Sequence, residues 1–434
     1  MDYQQARKLM QDLARFGVNP GLCRIEELLC RLSNPEQRIR KYAHIAGTNG
    51  KGSVAAMLNS ISIQAGKKVG LFTSPHLHNH RERYRINNIS ISKDNFAHIA
   101  DMIFPEIAKM LADGHESPTE FEVATVISLM LFAYEDVDVA VMEVGMGGNI
   151  DSTNVCPSQL AVITNVDFDH MDYLGHSILE IARVKAGIIK QNATVITGAK
   201  GVALDVIAEK AHEQNARLLV FDHDIKVSII EMRASGSIFH LNLPKVTWAN
   251  IFIPLLGEHQ IENAALAIAA AAELGFSEEE IRLGLMNVCW PGRLEIFRKE
   301  PLIVMDGAHN AAGMRSLARA VELYWSQKRI LCILGMLSDK DWEQALSPLL
   351  PWLKNAIITP PPMPGRINGW QDLAKIFKGS NIENEVIASN EQACAKALSL
   401  LSSEKFDMLL VCGSLYLLSE VRKILLDRHD IVEE

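Results

Sequence analysis

Tyr42-Ala43-His44-Ile45-Ala46-Gly47-Thr48-Asn49-Gly50-Lys51-Gly52-Ser53 is the stretch on which the fold turns. Tyr42–Ala46 reads as a short buried strand. From Ser53 to Ile63 the apolar residues Val54, Met57, Leu58 and Ile61 recur at the spacing of a helix face. Between them lie Gly47, Thr48, Asn49, Gly50, Lys51, Gly52 and Ser53, a glycine-rich turn ending at a helix N-terminus. Glycines let a backbone wrap a phosphate, the helix start offers N–H groups and partial positive charge, and Lys51 adds a full charge. The plain alternative is a glycine-rich turn with a surface lysine, which would not need both flanks to be right. Gly52 separates the lysine from the next hydroxyl, so the hydroxyl that reaches a metal is open between Ser53 and Ser74.

Working outward, continuous apolar runs at Val69–Phe72, Val137–Met142, Leu160–Thr164 and Ala193–Thr197 alternate with helical patterns, as in a parallel sheet buried on both faces. Parallel strands deliver their carboxyl ends to one edge. There the second run leads into Glu143 and a glycine-rich turn, and the third into Asp167-Phe168-Asp169-His170, groups suited to a hard cation. Lys185, in Glu180–Lys190, reads on its residues alone as a surface lysine at a helix carboxyl end, favoured by the dipole. Val227–Leu241 has two β-rich runs around a Ser-Gly turn and is expected to be an antiparallel patch on the first sheet. Strand and helix alternate again from Leu302, with strands at Leu302–Met305, Arg329–Leu334, Asn355–Ile358 and Met408–Cys412. Pro291-Gly292 breaks the chain before that block. The expected fold is α/β: a P-loop parallel-sheet domain with an antiparallel appendage over residues 1–293, and a smaller Rossmann-like α/β domain over 294–434.

The chain has 434 residues, with 48% hydrophobic and 22% charged residues, so two sizeable cores are affordable and disorder is excluded as a theme. A net charge of −9 argues against bulk nucleic-acid binding, and any polyanion must be held by a local site. The seven cysteines are scattered, with no C-x-x-C pair, which excludes a disulfide framework and a zinc cluster and fits a reducing cytosol. No apolar run approaches the roughly 18 residues of a membrane span, and the start lacks a leader's apolar core. The expectation is a cytoplasmic monomer acting on small molecules, with no nucleic acid and no membrane as partner.

The motifs HIAGTNGKGS, TSPH, EVGMGG, DSTN, DHMDYLG, IARVKAGIIK, GEHQIENA, PGRLE, DGAHN, SDKD and GSLYL, in this order, resemble the Mur ligase superfamily. Within it, Asp306-Gly307-Ala308-His309-Asn310 and Gly413-Ser414-Leu415-Tyr416 resemble the folylpolyglutamate and dihydrofolate synthases, as do Phe16-Gly17 and Asn19-Pro20-Gly21-Leu22-x-Arg24-Ile25. The resemblance implies that Lys51 and its glycines hold the phosphates of ATP. Ser74, Glu143 and His170 would hold Mg²⁺, with two metal sites in all. Lys185 would carry a carbamate formed with carbon dioxide. Asn263 and Arg293 would contact the nucleotide, and Asp306 and His309 would face it and the reaction centre, with two domains closing over ATP. Asn149, Val184, Ala311 and Ser419 depart from common family residues, all away from the phosphate and metal positions.

The chemistry so implied is amide formation. A folate or dihydropteroate carboxylate takes the γ-phosphoryl group of ATP, and the amine of L-glutamate displaces phosphate. Alternatives are a cell-wall Mur ligase, a relative joining glutamate to a non-folate acid, and a P-loop switch protein without ligase activity.

Overall fold

The computed structural model describes residues 1–17, 19–363, 365–378, 380 and 382–427; of Phe16 only the backbone is described. The chain divides into two compact units. One comprises Met1–Ile230, Phe239–Phe252 and Glu262–Val288; the other comprises Glu231–Ile238, Ile253–Ile261 and Cys289–Glu434.

The strands of the first large sheet are β1 (Tyr42–Ala46), β2 (Val69–Phe72), β3 (Tyr84–Ile86), β4 (Ile89–Ser90), β5 (Val139–Glu143), β6 (Leu160–Ile163), β7 (Thr194–Thr197) and β8 (Arg217–Val220). Their order is β4-β3-β2-β5-β1-β6-β7-β8. From β2 to β8 every pairing is parallel, and β1, β2, β5 and β6 are buried at every position, as their continuous apolar runs require. The Lys51–Gln64 helix starts at the phosphate loop itself and is buried around most of its circumference, well beyond the stripe read from sequence.

The antiparallel part of this sheet is β3 and β4, not the Val227–Leu241 hairpin. Asn87 and Asn88, at φ +48° and +68°, form the two-residue turn between them. The expected hairpin is present as β9 (Lys226–Arg233) and β10 (Gly236–Leu243). With β11 (Val246–Ile253) it makes a separate three-stranded sheet joined by two-residue turns. The physical reason is exposure: β9 is largely wetted, with Ile229 and Ile230 near half exposed, so it has no second face to lay along a buried sheet.

In the second unit β12 (Glu295–Lys299), β13 (Leu302–Met305), β14 (Ile330–Leu334), β15 (Leu353–Ile358), β16 (Glu383–Val386) and β17 (Met408–Cys412) are ordered β12-β13-β17-β14-β15-β16. Only β12 runs antiparallel. β12 and β16 escape the apolar-run criterion because both are edge strands without a fully buried residue.

Candidate active site

In the first unit the carboxyl ends of β2, β5, β1 and β6 lie side by side, so the turns that follow them share one edge. The Gly47–Lys51 loop is shaped by close approach. A Cβ on Gly47 would sit 1.8 Å from Thr164 Oγ1, and one on Gly50, at φ +84°, would sit 2.3 Å from Asn263 Oδ1. Gly50 caps the Lys51–Gln64 helix in a left-handed conformation that disfavours a side chain. The loop is also pinned from the side. Thr48 and Asn49 donate their N–H groups to the Asn165 carbonyl and to Asn165 Oδ1, both at 3.0 Å, and Thr164 Oγ1 donates to the Asn49 carbonyl at 2.6 Å. Thr48 Oγ1 donates to the Asp167 carbonyl and accepts the Asp167 N–H. The first helical turn has no carbonyl above its N–H groups, so the cradle presents donors to an anion. Lys51 Nζ folds back onto the carbonyls of Gly47 and Thr48, at 3.1 and 3.2 Å. Ser53 is buried in this turn.

Glu143 ends β5 as a buried carboxylate, and its Oε2 accepts the Ser74 N–H at 3.0 Å, which brings Ser74 and Glu143 together as expected. His170 stands at φ +49° after β6. Its N–H bonds Asp169 Oδ1, and its Nε2 lies 3.9 Å from the same oxygen. Among the described residues no group of three His, Cys, Asp or Glu side chains could hold a metal alone. The Glu143 carboxylate with Ser74 beside it fits Mg²⁺ as it binds with nucleotides, where phosphate oxygens and water complete the octahedron, while the contacts described for His170 are to Asp169.

Behind Glu143 lies a network that sequence reading missed. The buried Asp151 carboxylate accepts the Met146 N–H, the Thr153 N–H and the Thr153 hydroxyl, and burial pushes its pKa up. Thr153 thereby uses its proton, so the 2.8 Å contact with His44 Nε2 is a histidine donation. Burial, with Lys190 nearby, pushes His44 down to about 3 and keeps it neutral. Asp-Ser-Thr-Asn was visible as a motif, but its link to a strand residue over a hundred positions earlier was not.

Lys185 is not a surface lysine. Only 3% exposed, it donates from Nζ to the Gly47 carbonyl at 2.8 Å, the same oxygen that Lys51 reaches. Burial first, and then the Lys51 charge, lower its pKa to about 7, against the pull of Asp169 and Asp151. A substantial fraction is therefore the free amine near neutrality, the form that adds carbon dioxide. Asn263 lies against Gly50 in the same unit. The Arg24 guanidinium donates to Glu122, Glu116 and the Asn19 carbonyl, tying its helix to the buried Glu122.

In the second unit Arg293, Asp306 and His309 come together. A Cβ on Gly307 would meet Arg293 Nη1 at 2.4 Å, and the Arg293 charge opposes the burial that raises the Asp306 pKa. His309 Nδ1 lies 2.8 Å from the Gly307 carbonyl, which can only accept, so Nδ1 carries the proton. His259, on a segment of the same unit, is pushed down to about 4 by burial and by Arg293.

Residues 45–271 match the Mur ligase middle domain, and residues 292–415 match the Mur ligase glutamate ligase domain. The chain is 35% identical to the dihydrofolate synthase/folylpolyglutamate synthase of Bacillus subtilis, over 97% of this chain and 98% of that protein. Among solved structures it resembles an Escherichia coli protein in complex with DHPP and ADP, with a TM-score of 0.87 and 29% identity over 98% of each chain. It also resembles an FPGS–AMPPCP–folate complex, with a TM-score of 0.84 and 32% identity over 98% of this chain and all of that one.

Proposed function

Since the chain belongs to the Mur ligase superfamily, in its branch of folylpolyglutamate and dihydrofolate synthases, we propose that it is an ATP-dependent ligase joining L-glutamate to a folate. Dihydropteroate is a second acceptor of the same reading. The observation that carries it is the phosphate cradle with Lys51 and the buried Lys185 on one carbonyl, beside Glu143 and Ser74. Residues 1–293 form the ATP-binding domain in this reading, and 294–434 the glutamate ligase domain. The seven free cysteines agree with a reducing, cytoplasmic setting.

In the reaction a carboxylate oxygen of the acceptor attacks the γ-phosphorus of ATP and ADP leaves, giving an acyl phosphate. The amine of glutamate then attacks the acyl carbon, phosphate departs with the C–O electron pair, and the amine loses a proton. The N–H groups of Gly50 to Ser53 and the Lys51 ammonium offset charge on the transferring group. Ser74, Glu143 and His170 would hold Mg²⁺, which would supply further neutralisation of that charge. Lys185, as the free amine, would add carbon dioxide with release of one proton to solvent, and the anionic carbamate so formed would help position a second Mg²⁺. Asn263 and Arg293 provide the remaining phosphate contacts, and Asp306 and His309 face the nucleotide and the reaction centre.

The test is incubation with ATP, Mg²⁺, L-glutamate and a panel of folates and pteroates, reading ADP and product masses. ADP release that needs both acid and glutamate, with a product one glutamyl residue heavier, is expected. Product formed only with some other acid would remove the folate, and ATP hydrolysis indifferent to both would remove the ligase.

A further inference from the structure

Leu294 has φ +47° and is 2% exposed. Among the described residues it is the one aliphatic side chain in the left-handed region; the others there besides glycine are Asn, Asp, Ser, His and Glu. A leucine stays in that region only when its surroundings over-determine it. They do so here. The Leu294 N–H donates to Asp306 Oδ2 at 2.8 Å, while Asp306 Oδ1 takes the Ala308 N–H at 2.8 Å. Gly307 N–H bonds the Gly292 carbonyl, and Gly292 N–H bonds Glu295 Oε2, both at 2.9 Å. Glu295 is held in turn by Arg422, whose guanidinium lies over the Phe297 ring. The residue before Leu294 is Arg293, whose guanidinium packs over Gly307.

Each oxygen of Asp306 is thus engaged by a main-chain amide, one from each side of the turn. We propose that Asp306 is a positioning residue whose carboxylate locks Leu294 in the left-handed conformation and thereby aims Arg293 at the nucleotide. This inference rests on the reading above that Arg293 contacts ATP. Without the carboxylate, Leu294 relaxes toward negative φ, the peptide between 293 and 294 turns, and Arg293 leaves Gly307. The bond to Leu294 acts through Arg293, so loss of the lock is expected in the KM for ATP and is read from the part that the glycine substitution at 294 restores.

The experiment compares R293A, D306A, D306A/L294G and D306A/L294A, all checked for folding by thermal melting. Glycine tolerates positive φ without the lock, whereas alanine removes nearly the same side chain and does not. R293A and D306A are each expected to raise the KM for ATP about tenfold, and D306A/L294G to recover at least about threefold of it while D306A/L294A recovers none. Equal KM values for the two double variants would overturn the lock and leave Asp306 acting on the nucleotide directly. An unchanged KM in R293A would instead overturn the assignment of Arg293. Should D306A not fold, D306L, which fills a similar volume and accepts no hydrogen bond, replaces it with the same expected contrast.

Discussion

Each unit has its own sheet edge with candidate site residues, both at carboxyl ends of parallel strands, yet the two edges are stabilised differently. At the edge of the first unit the groups come from four neighbouring strand ends, and the Gly47–Lys51 loop is held mainly by backbone and short side chains of the next strand's turn. At the edge of the second unit one carboxylate, Asp306, braces two segments around a strained leucine. A loop shaped by glycine and local geometry is expected to tolerate loss of its charged residue, whereas a turn held by one carboxylate is not. The comparison teaches that charge at the first edge is not needed to shape its loop, whereas at the second the Asp306 carboxylate bonds two main-chain amides of its turn.

The sharpest way to break this contrast is K51A. It is expected to lower kcat/KM by about 1,000-fold or more, because a charge on the transferring phosphoryl group is lost. Its melting temperature is expected to be nearly unchanged; a protein that keeps turnover, or that unfolds, removes the first half of the comparison. E143A should raise the Mg²⁺ concentration for half-maximal activity by about tenfold or abolish activity. A titration with the same midpoint as the parent would make Glu143 a structural acid holding Ser74.

K185A is expected to lose more than about tenfold in activity, with partial recovery on adding short carboxylic acids that replace the anion. A buried lysine with no chemical task would show no recovery. The pH dependence follows from the lowered pKa of about 7, against an ordinary 10.5. The amine is free above that value, so activity should fall as pH drops through about 7 and recover with added bicarbonate. Between these two values the unfolded chain holds a proton that the folded chain lacks, so this group makes stability rise with pH across that window. A melting temperature that falls there in the parent but not in K185A would contradict the sign.

The smallest effects compare ion pairs. Arg24 and Glu122 have side chains 11% and 4% exposed, so R24A strands a buried carboxylate and should cost roughly 3 kcal/mol by denaturant unfolding. Arg329 and Asp407, 53% and 31% exposed, pair beside β14 and β17 in the second unit, and R329A should cost much less than R24A because solvent screens the pair. Equal losses would mean that burial does not rank these pairs.

The phosphate loop was legible because strand, glycines, lysine and helix are contiguous and each obeys a local rule. Glu143 was legible for the same reason, as an acid closing an apolar run. The turn at Asn87-Asn88 also carried a hairpin signal, although the strands beside it are only three and two residues long. Lys185 was not legible from its neighbours: the pattern of its helix gives a lysine near a carboxyl end, and nothing local says that the phosphate loop closes over it. The family resemblance singled it out where periodicity did not.

What the sequence by itself determined is the set of local preferences: which runs are strands, where glycine permits a cradle, and which residues can carry charge. Tertiary structure alone decided that Lys185 loses its water and holds its proton less tightly, that His44 and Thr153 brace Asp151, and that Leu294 takes a conformation its own side chain disfavours. The physical reason is that desolvation, buried hydrogen bonds and strain depend on groups remote in the chain. Their energies appear only when those groups are brought within a few ångströms of each other.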